Sequence, residues 1–579
     1  MKHLRTAAVI LAVAALFWIA NRGAYKGYFS ADDLNNLFWT SHSTPLDHLK
    51  GLVSPWYSNS NYRPTGHFIF QIMGHTFGLN FPPYVWLIQL LHLLNVFLLW
   101  RVLLRLGAEP RAAAFAALAW SFHMALFDAF WKPMFVFDLL VCLFSLLTLL
   151  LYTSRYWLAA LLTFWLAYKS KEMAVALPAF LALYELWSGH PRWRRLAPFA
   201  AIAIWFTAQA LIWGQNSYAL VFSPQAIWQT IRFYSSEILF LPYAGLLLIP
   251  AFFLTRDNLV RLGIAGAVIL VGPLWFLPGR LFSVYLYLPT AALAIVLAFV
   301  SQKRRTWVLL AALALWIPAN YMIMRDKRKA TLAAAEVVKP YVEAAGHFHQ
   351  SNPAVLHIVS ESRPVQLESW GVEAAFQWFY RSPQFKISHA DLPEGKALLL
   401  EPNLAIANWK PFERQLLMTV RDPAAPFPTH FAFGDGAPIW ALREGFLWSG
   451  GRFWWTGTKA AAVLHRPPDA RFFEVTINVS PRQLAYQGSV QFEAVIDGQP
   501  LGVHRFTTNG WLTHRWTLPP DQNHRGQDRG GRDRQGAGSS TARAHNPVPI
   551  EIRFPVPYRP KGHHGSPLGA PIVAFGFVE

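Results

Sequence analysis

The sequence predicts a polytopic α-helical membrane domain, followed by an outer soluble α/β unit and a β-sandwich. Three observations predict it. Of the 579 residues, 54% are hydrophobic and only 14% charged, against about 25% charged in an ordinary soluble domain. Up to residue 324 the apolar residues fall in stretches close to the ~20 that cross a bilayer. Beyond that point the chain reads as a soluble protein, first helical and then alternating. The boundaries expected are 1–326 for the membrane domain, 327–439 for the α/β unit and 440–579 for the sandwich.

The apolar stretches lie at 6–24, 83–106, 112–127, 134–152, 156–168, 173–187, 196–213, 233–254, 260–277, 282–300 and 307–324. They make about eleven spans, two of them short enough to fit only as tilted neighbours. The basic clusters "HPRWRR" and "QKRR", with the "MKHLR" start, put the N-terminus and those loops in the cytoplasm. An odd number of spans then leaves the tail outside. The first stretch also reads as a signal peptide, its apolar core being short, and that alternative leaves everything downstream on the same side. The +19 formal charge is scattered over loops and not gathered in one stripe, so no nucleic-acid partner is expected. A single cysteine, Cys142, excludes a disulfide framework and a cysteine metal site.

This orientation brings Asp32, Asp33, Arg63, His67, Asp128, Lys132, Lys169, Lys171, Glu172 and Arg280 onto or just beneath the outer face. Ionisable groups beside a bilayer turn toward a cavity or a partner. Snorkelling explains Lys and Arg at an interface but not the adjacent carboxylates of "YFSADDLNNLFW". Those carboxylates open the longest outer loop, 25–82, which also carries "NYRPTGHFIFQIMGHTFGLNFPP". Its Phe68, Ile69, Ile72, Met73 and Phe77 recur at near-helical spacing and predict a helix lying in the interface.

"DD" after the first span, "YRP" before the second and "LLHLLNVFLLWRVLLRLG" closing it resemble the GT-C class of polyprenyl-phosphate-sugar-dependent glycosyltransferases. The likeness is to the membrane half of the transmembrane and tetratricopeptide-repeat O-mannosyltransferases and their bacterial relatives. "YKSKEMAVALPAFLALYEL" and "RLFSVYLYLPTAALAIVLA" extend it over residues 1 to 325. The chain departs from the family at "FDAFWKPMFVFD", where Asp128 matches the acidic place and Lys132 stands near the family's Arg. It also lacks the Glu-Arg-Tyr order before "LYLP" and the tetratricopeptide repeats.

The resemblance implies a GT-C-like catalytic domain that transfers a hexose, with inversion, from a lipid phosphate to a hydroxyl. Such a transfer needs a carboxylate to take the acceptor's proton and cations to stabilise the departing phosphate. Asp33 is read as the base, with Asp32 orienting a partner or capping the helix that follows; a cap formed by both is the plainer alternative. Asp128 is read as orienting the acceptor or a basic neighbour, or as a loop carboxylate only. Lys169, Lys171, Arg280 and Arg63 are candidates for the donor phosphate. Lys132, His67 and Glu172 are candidates for the sugar and acceptor pocket, Glu172 being equally suited to pair with Lys171. His67, His75 and His92 have no metal-ligand spacing, so neither metal nor cofactor is expected, and the lipid-phosphate sugar is a substrate. The expected partners are that donor, a protein, lipid or polysaccharide acceptor, and membrane lipids. The expected location is the bacterial inner membrane with the tail in the periplasm. A lipid-linked-glycan transporter or flippase, and a membrane-anchored glycan-binding scaffold, remain the non-enzymatic alternatives.

In the tail, "DKRKATLAAAEVVKPYVEAAGHF" and "VEAAFQWFYR" read as helices, and "AVLHIVS" and "KALLLEP" as strands. "RFFEVTINVS", "SVQFEAVIDGQPLGVHRF" and "APIVAFGFVE" read as sandwich strands, with Asp497–Gly498 a hairpin turn. Trp454, Trp455 and Trp511 are either core or glycan-facing. The stretch 521–546, rich in Gly, Arg and Gln, reads as a disordered insert.

Overall fold

The computed structural model describes residues 2–56, 62–187, 191–213, 220–303, 306–422, 424–434, 436–449, 452–519, 547–560 and 566–579. The expected insert at 521–546 lies outside them. The chain divides into two compact units, Met1–Lys339 and Pro340–Glu579.

The first unit is helical. Its helices are α1 (Lys2–Asn21), α2 (Ala31–Ser41), α3 (Pro45–Val53), α4 (Pro64–Phe77), α5 (Pro82–Arg105), α6 (Pro110–Ser121), α7 (Val136–Thr153), α8 (Trp157–Ser170) and α9 (Leu177–Trp187). They continue as α10 (Trp193–Trp213), α11 (Pro224–Leu239), α12 (Leu248–Leu254), α13 (Asn258–Val271), α14 (Tyr287–Lys303) and α15 (Thr306–Ser351), whose residues from Pro340 on belong to the second unit. Proline sets many of the starts. Pro45, Pro64, Pro82, Pro110 and Pro224 each sit in the first turn, where a missing N–H costs nothing. The outer-loop helices are fixed further by capping boxes, Ser30 with Asp33 and Thr44 with Asp47.

Three helical segments are long and apolar enough to cross a membrane: Pro82–Arg105, Pro133–Thr153 and Ser283–Gln302. Two bent pairs, Pro110–Ser121 with Met124–Phe130 (69°) and Pro224–Leu239 with Ala244–Leu254 (86°), raise the number to five among the described residues. That measure does not confirm the expected count of about eleven; of the other expected spans, α8, α9 and α13 are 14, 11 and 14 residues long. At ~1.5 Å per residue, fourteen residues cover about 21 Å, short of the ~30 Å hydrocarbon core. The helix expected at 68–77 is α4 (Pro64–Phe77), whose Ile72 and Phe77 stay exposed. α15 runs unbroken through 326, where the sequence reading ends the membrane domain.

The second unit holds α16 (Ser369–Tyr380), α17 (Pro393–Leu398), α18 (Pro481–Gln487) and fourteen strands among the described residues. β1 (His357–Ser360) pairs parallel with β2 (Lys386–His389) and with β3 (Leu404–Lys410), and β3 pairs antiparallel with β4 (Gln415–Val420). "KALLLEP" is therefore not a strand. Pro393 starts a helical turn that delivers Leu398 and Leu399 to the core, and the strand begins at Leu404.

The sandwich strands are β5 (His430–Ala432), β6 (Phe446–Ser449), β7 (Trp454–Gly457), β8 (Lys459–Leu464), β9 (Phe472–Val479), β10 (Val490–Ile496), β11 (Gln499–Phe506), β12 (Gly510–Thr517), β13 (Val548–Arg553) and β14 (Leu568–Val578). They form sheets ordered β11-β10-β13-β8 and β12-β9-β14-β7-β6, with β5 against β14. In β9 the period-two pattern buries Phe473, Val475, Ile477 and Val479 and turns Glu474, Thr476 and Asn478 outward. Asp497 and Gly498 both take positive φ (49° and 77°), as a two-residue hairpin needs. One hydrophobic core, from Val359 and Ile406 through Phe431 and Val475 to Phe575, runs through the α/β part and the sandwich alike. Trp454 belongs to that core, Trp455 stacks on Tyr558, and Trp511 is exposed.

Candidate active site

The acidic pair begins α2, and the capping box separates its two members. Asp33 is the third residue of the helix, the position from which a side chain reaches back to the N-cap. Its Oδ2 accepts hydrogen bonds from the Ser30 amide (2.7 Å) and the Ser30 hydroxyl (2.6 Å). The cap thus falls to Asp33 and not to Asp32. Asp33 is fully buried, and besides Ser30 the Met134 backbone N–H favours its carboxylate. Burial pushes its pKa up to about 6, against the pull of the Ser30 hydrogen bonds. Asp32 is only partly buried and is the member with access to solvent.

His67 ties α4 to this helix. Its Nδ1 accepts from the Arg63 amide (2.9 Å), so the proton sits on Nε2, which donates to Asn36 Oδ1 at 3.1 Å. Burial, with the Arg63 charge, pushes its pKa down to about 3 and keeps the ring neutral. His67 is a strut between α2 and α4.

A cavity of about 380 Å³ lies nearby, with Arg63, Lys171, Glu172 and Arg280 among its lining residues. The rest of its wall is mostly apolar and aromatic, with Phe206, Leu211, Phe222, Phe276, Leu277 and Tyr285. Arg63, at the N-cap of α4, reaches Glu172 through a fork: Nε lies 3.1 and 3.2 Å from its two oxygens, and Nη2 2.9 Å from Oε2. The guanidinium also sits 5.4 Å above the Phe137 ring. Lys171, just past α8, donates to both oxygens of Asp138 at 2.6 and 2.8 Å, with Tyr285 4.2 Å away on another side. Both partners of that ion pair are nearly inaccessible, at 9% and 3% exposure.

The remaining candidates lie elsewhere. Lys169 does not line the cavity: its ammonium donates to the Ser54 carbonyl (2.6 Å) between the Trp165 and Phe206 rings, pinning the end of α3 to α8. Asp128 pairs with Lys132 at 2.8 Å, one turn on, and with Lys327 of α15 at 3.8 Å. Lys327 donates in turn to the Ser283 hydroxyl at 2.7 Å. His92 is buried under Tyr287, whose hydroxyl meets its Nδ1 at 2.6 Å, and holds α5 to α14. Among the described residues no three His, Cys, Asp or Glu side chains converge as a metal site would need.

Sequence reading missed Asp138, Lys327 and Tyr285. For Asp138 a signal existed, since a carboxylate inside an apolar run calls for a partner. It closes the same "FDAFWKPMFVFD" stretch from which Asp128 was drawn.

No protein-family model matches the chain, and no curated protein does. Among solved structures, the chain is similar to ArnT from Cupriavidus metallidurans bound to undecaprenyl phosphate. Identity is 14% and the TM-score 0.46, over 70% of this chain and 93% of that one. The apo state of the same protein gives 13% and 0.45, over 71% and 94%. At those scores neither likeness decides what this chain does, and the question rests with the side chains just described.

Proposed function

We propose that the chain is an inverting membrane glycosyltransferase. It moves a hexose from a polyprenyl-phosphate donor to a hydroxyl acceptor at the outer face of a bacterial inner membrane. The observation that carries this reading is the cavity, which joins three cationic side chains, with Glu172 held by Arg63, to an apolar and aromatic wall. A lipid phosphate has that same division. The guanidinium and ammonium groups meet the phosphate oxygens, and the apolar wall takes the first isoprene units.

In the reaction, the acceptor oxygen attacks the anomeric carbon from the face opposite the phosphate. The bond from that carbon to the phosphate oxygen breaks, and the lipid phosphate leaves with the electron pair. Arg63, Lys171 and Arg280 offset the charge that develops on it. The acceptor's proton passes to a carboxylate. That role suits Asp32 better than Asp33, because Asp33 is buried and already engaged by Ser30. Asp33 fixes the helix start that presents its neighbour. The strut from Asn36 through His67 to Arg63 links that start to the cavity.

The test is hexose release by the purified full chain from a panel of undecaprenyl-phosphate hexoses, with wild type beside Asp32→Asn and Asp33→Asn. The expected result is consumption of one donor by wild type and loss of turnover in Asp32→Asn with donor binding kept. Undiminished turnover in Asp32→Asn would remove it as the base, and no consumption of any donor would count against the transferase.

A further inference from the structure

The two cations that begin the cavity wall are steadied by a third element. Arg63 starts α4 and Lys171 follows α8, yet consecutive residues in the first turn of α7 meet both of them. Phe137 lies beneath the Arg63 guanidinium, and Asp138 takes two hydrogen bonds from Lys171. Gly66 lets this turn close on α4, since a Cβ there would run into the Phe137 ring.

We propose that Asp138 is a positioning residue for the donor phosphate, holding the Lys171 ammonium charged and aimed at the cavity; this rests on the transferase reading above. A lysine is a point charge on a flexible four-carbon stem. Left alone in surroundings this dry, it would favour its neutral form or turn away. The carboxylate removes both options. It takes two of the three ammonium protons, and the Tyr285 ring closes another side. What remains is one direction of approach. The other charged groups acting on Lys171 are Arg63 and Glu172, already forked together, and Arg280 lines the same cavity. A buried ion pair is a poor stabilising device, because well-packed apolar residues of equal volume serve stability as well or better. On a cavity wall it has another use.

The experiment takes the full chain in detergent as wild type, Asp138→Asn, Asp138→Glu and the double variant Asp138→Asn/Lys171→Gln. The readouts are KM and kcat for the undecaprenyl-phosphate hexose that wild type consumes, alongside Tm. Asp138→Asn is expected to raise the donor KM about tenfold or more, as loss of a charged hydrogen bond does, with a smaller change in kcat. Asp138→Glu should recover most of the affinity. The double variant, with no buried charge left uncompensated, should regain Tm but not KM. A wild-type KM in Asp138→Asn overturns the inference, and so does a double variant that regains KM together with Tm, the mark of a merely structural pair. Should Asp138→Asn fail to fold, the Glu and double variants carry the comparison. If wild type consumes no donor, the transferase reading fails by itself. Undecaprenyl phosphate binding, read by native mass spectrometry, then decides: weaker binding to Asp138→Asn and the double variant than to wild type supports a positioning role, and equal binding ends it.

Discussion

Asp33 offers a perturbation whose size follows from its surroundings. Its carboxyl is fully buried, and burial lifts its pKa from 3.8 to about 6 even with two Ser30 hydrogen bonds opposing the rise. The folded value is the higher one. Between the two values the native state therefore holds a proton that the unfolded chain has released, and stability falls as pH rises through that window. That rise corresponds to about 3 kcal/mol. The penalty is complete above pH 6 and absent below about pH 4. Asp33→Asn removes the titration while leaving an oxygen to accept from Ser30. The measurement is the difference in unfolding free energy between wild type and Asp33→Asn, in one detergent, from pH 4 to pH 7.5. Taking the difference cancels the other titrating groups. Relative to the variant, wild type should lose about 3 kcal/mol across that range. A difference that stays flat would mean that Asp33 is solvated in the folded protein, and the account of the acidic pair would go with it.

Three further outcomes follow from the same geometry. Gly66→Ala, by pushing a methyl into the Phe137 ring, should cost about 1–3 kcal/mol; thermal unfolding checks it, Phe137→Leu should relieve part of the loss, and an unchanged Tm would contradict the packing. Arg63→Lys keeps the charge but loses the fork to Glu172, so the donor KM should rise about tenfold with Tm little changed, and equal KM values would rule the fork out of donor binding. Lys169→Met removes the donor to the Ser54 carbonyl and should speed proteolytic nicking near the end of α3 without altering donor KM; a raised KM would return Lys169 to the donor site.

Much of the fold was legible because it is written in short-range patterns. The apolar runs and the alternation in β9 each sit within two dozen residues of sequence; the prolines at helix starts and the Ser30–Asp33 box are as local, but the reading passed over them. The number of crossings was less legible, since an apolar run of 13 to 15 residues does not by itself tell a tilted span from a shorter buried helix. "KALLLEP" misled in the same way: three leucines suit a strand or a buried helical turn equally, and Pro393 decided it. The site was readable as a list of residues on one face but not as pairs. Arg63 and Glu172 are separated by 109 positions, and Lys171 and Asp138 by 33. No local pattern carries such information. It also sorted the candidates: Lys169 and Lys171 look alike in "YKSKE", yet one anchors a loop and the other faces the cavity.

The pairs also close on one another. Phe137 supports Arg63, Arg63 forks onto Glu172, Glu172 adjoins Lys171, Lys171 is held by Asp138, and Asp138 adjoins Phe137. Five residues from three elements thus form a loop in which each cation is fixed by a neighbour of the other's partner. Beside a bilayer this arrangement answers two needs at once. Each charge has a counter-charge, which lowers the cost of taking it out of water. Each cation is also oriented before a phosphate arrives, so that little reorganisation is left for the moment of binding. A loop of this kind should not respond additively. Asp138→Asn loosens Lys171, which shifts Glu172 and so the fork on Arg63, and Glu172→Gln starts the same sequence from the other side. Measured as a double-mutant cycle on donor affinity, the two changes should show a coupling of about 0.5–3 kcal/mol. Independent sites would add within about 0.5 kcal/mol, and that result would reduce the loop to two unrelated ion pairs.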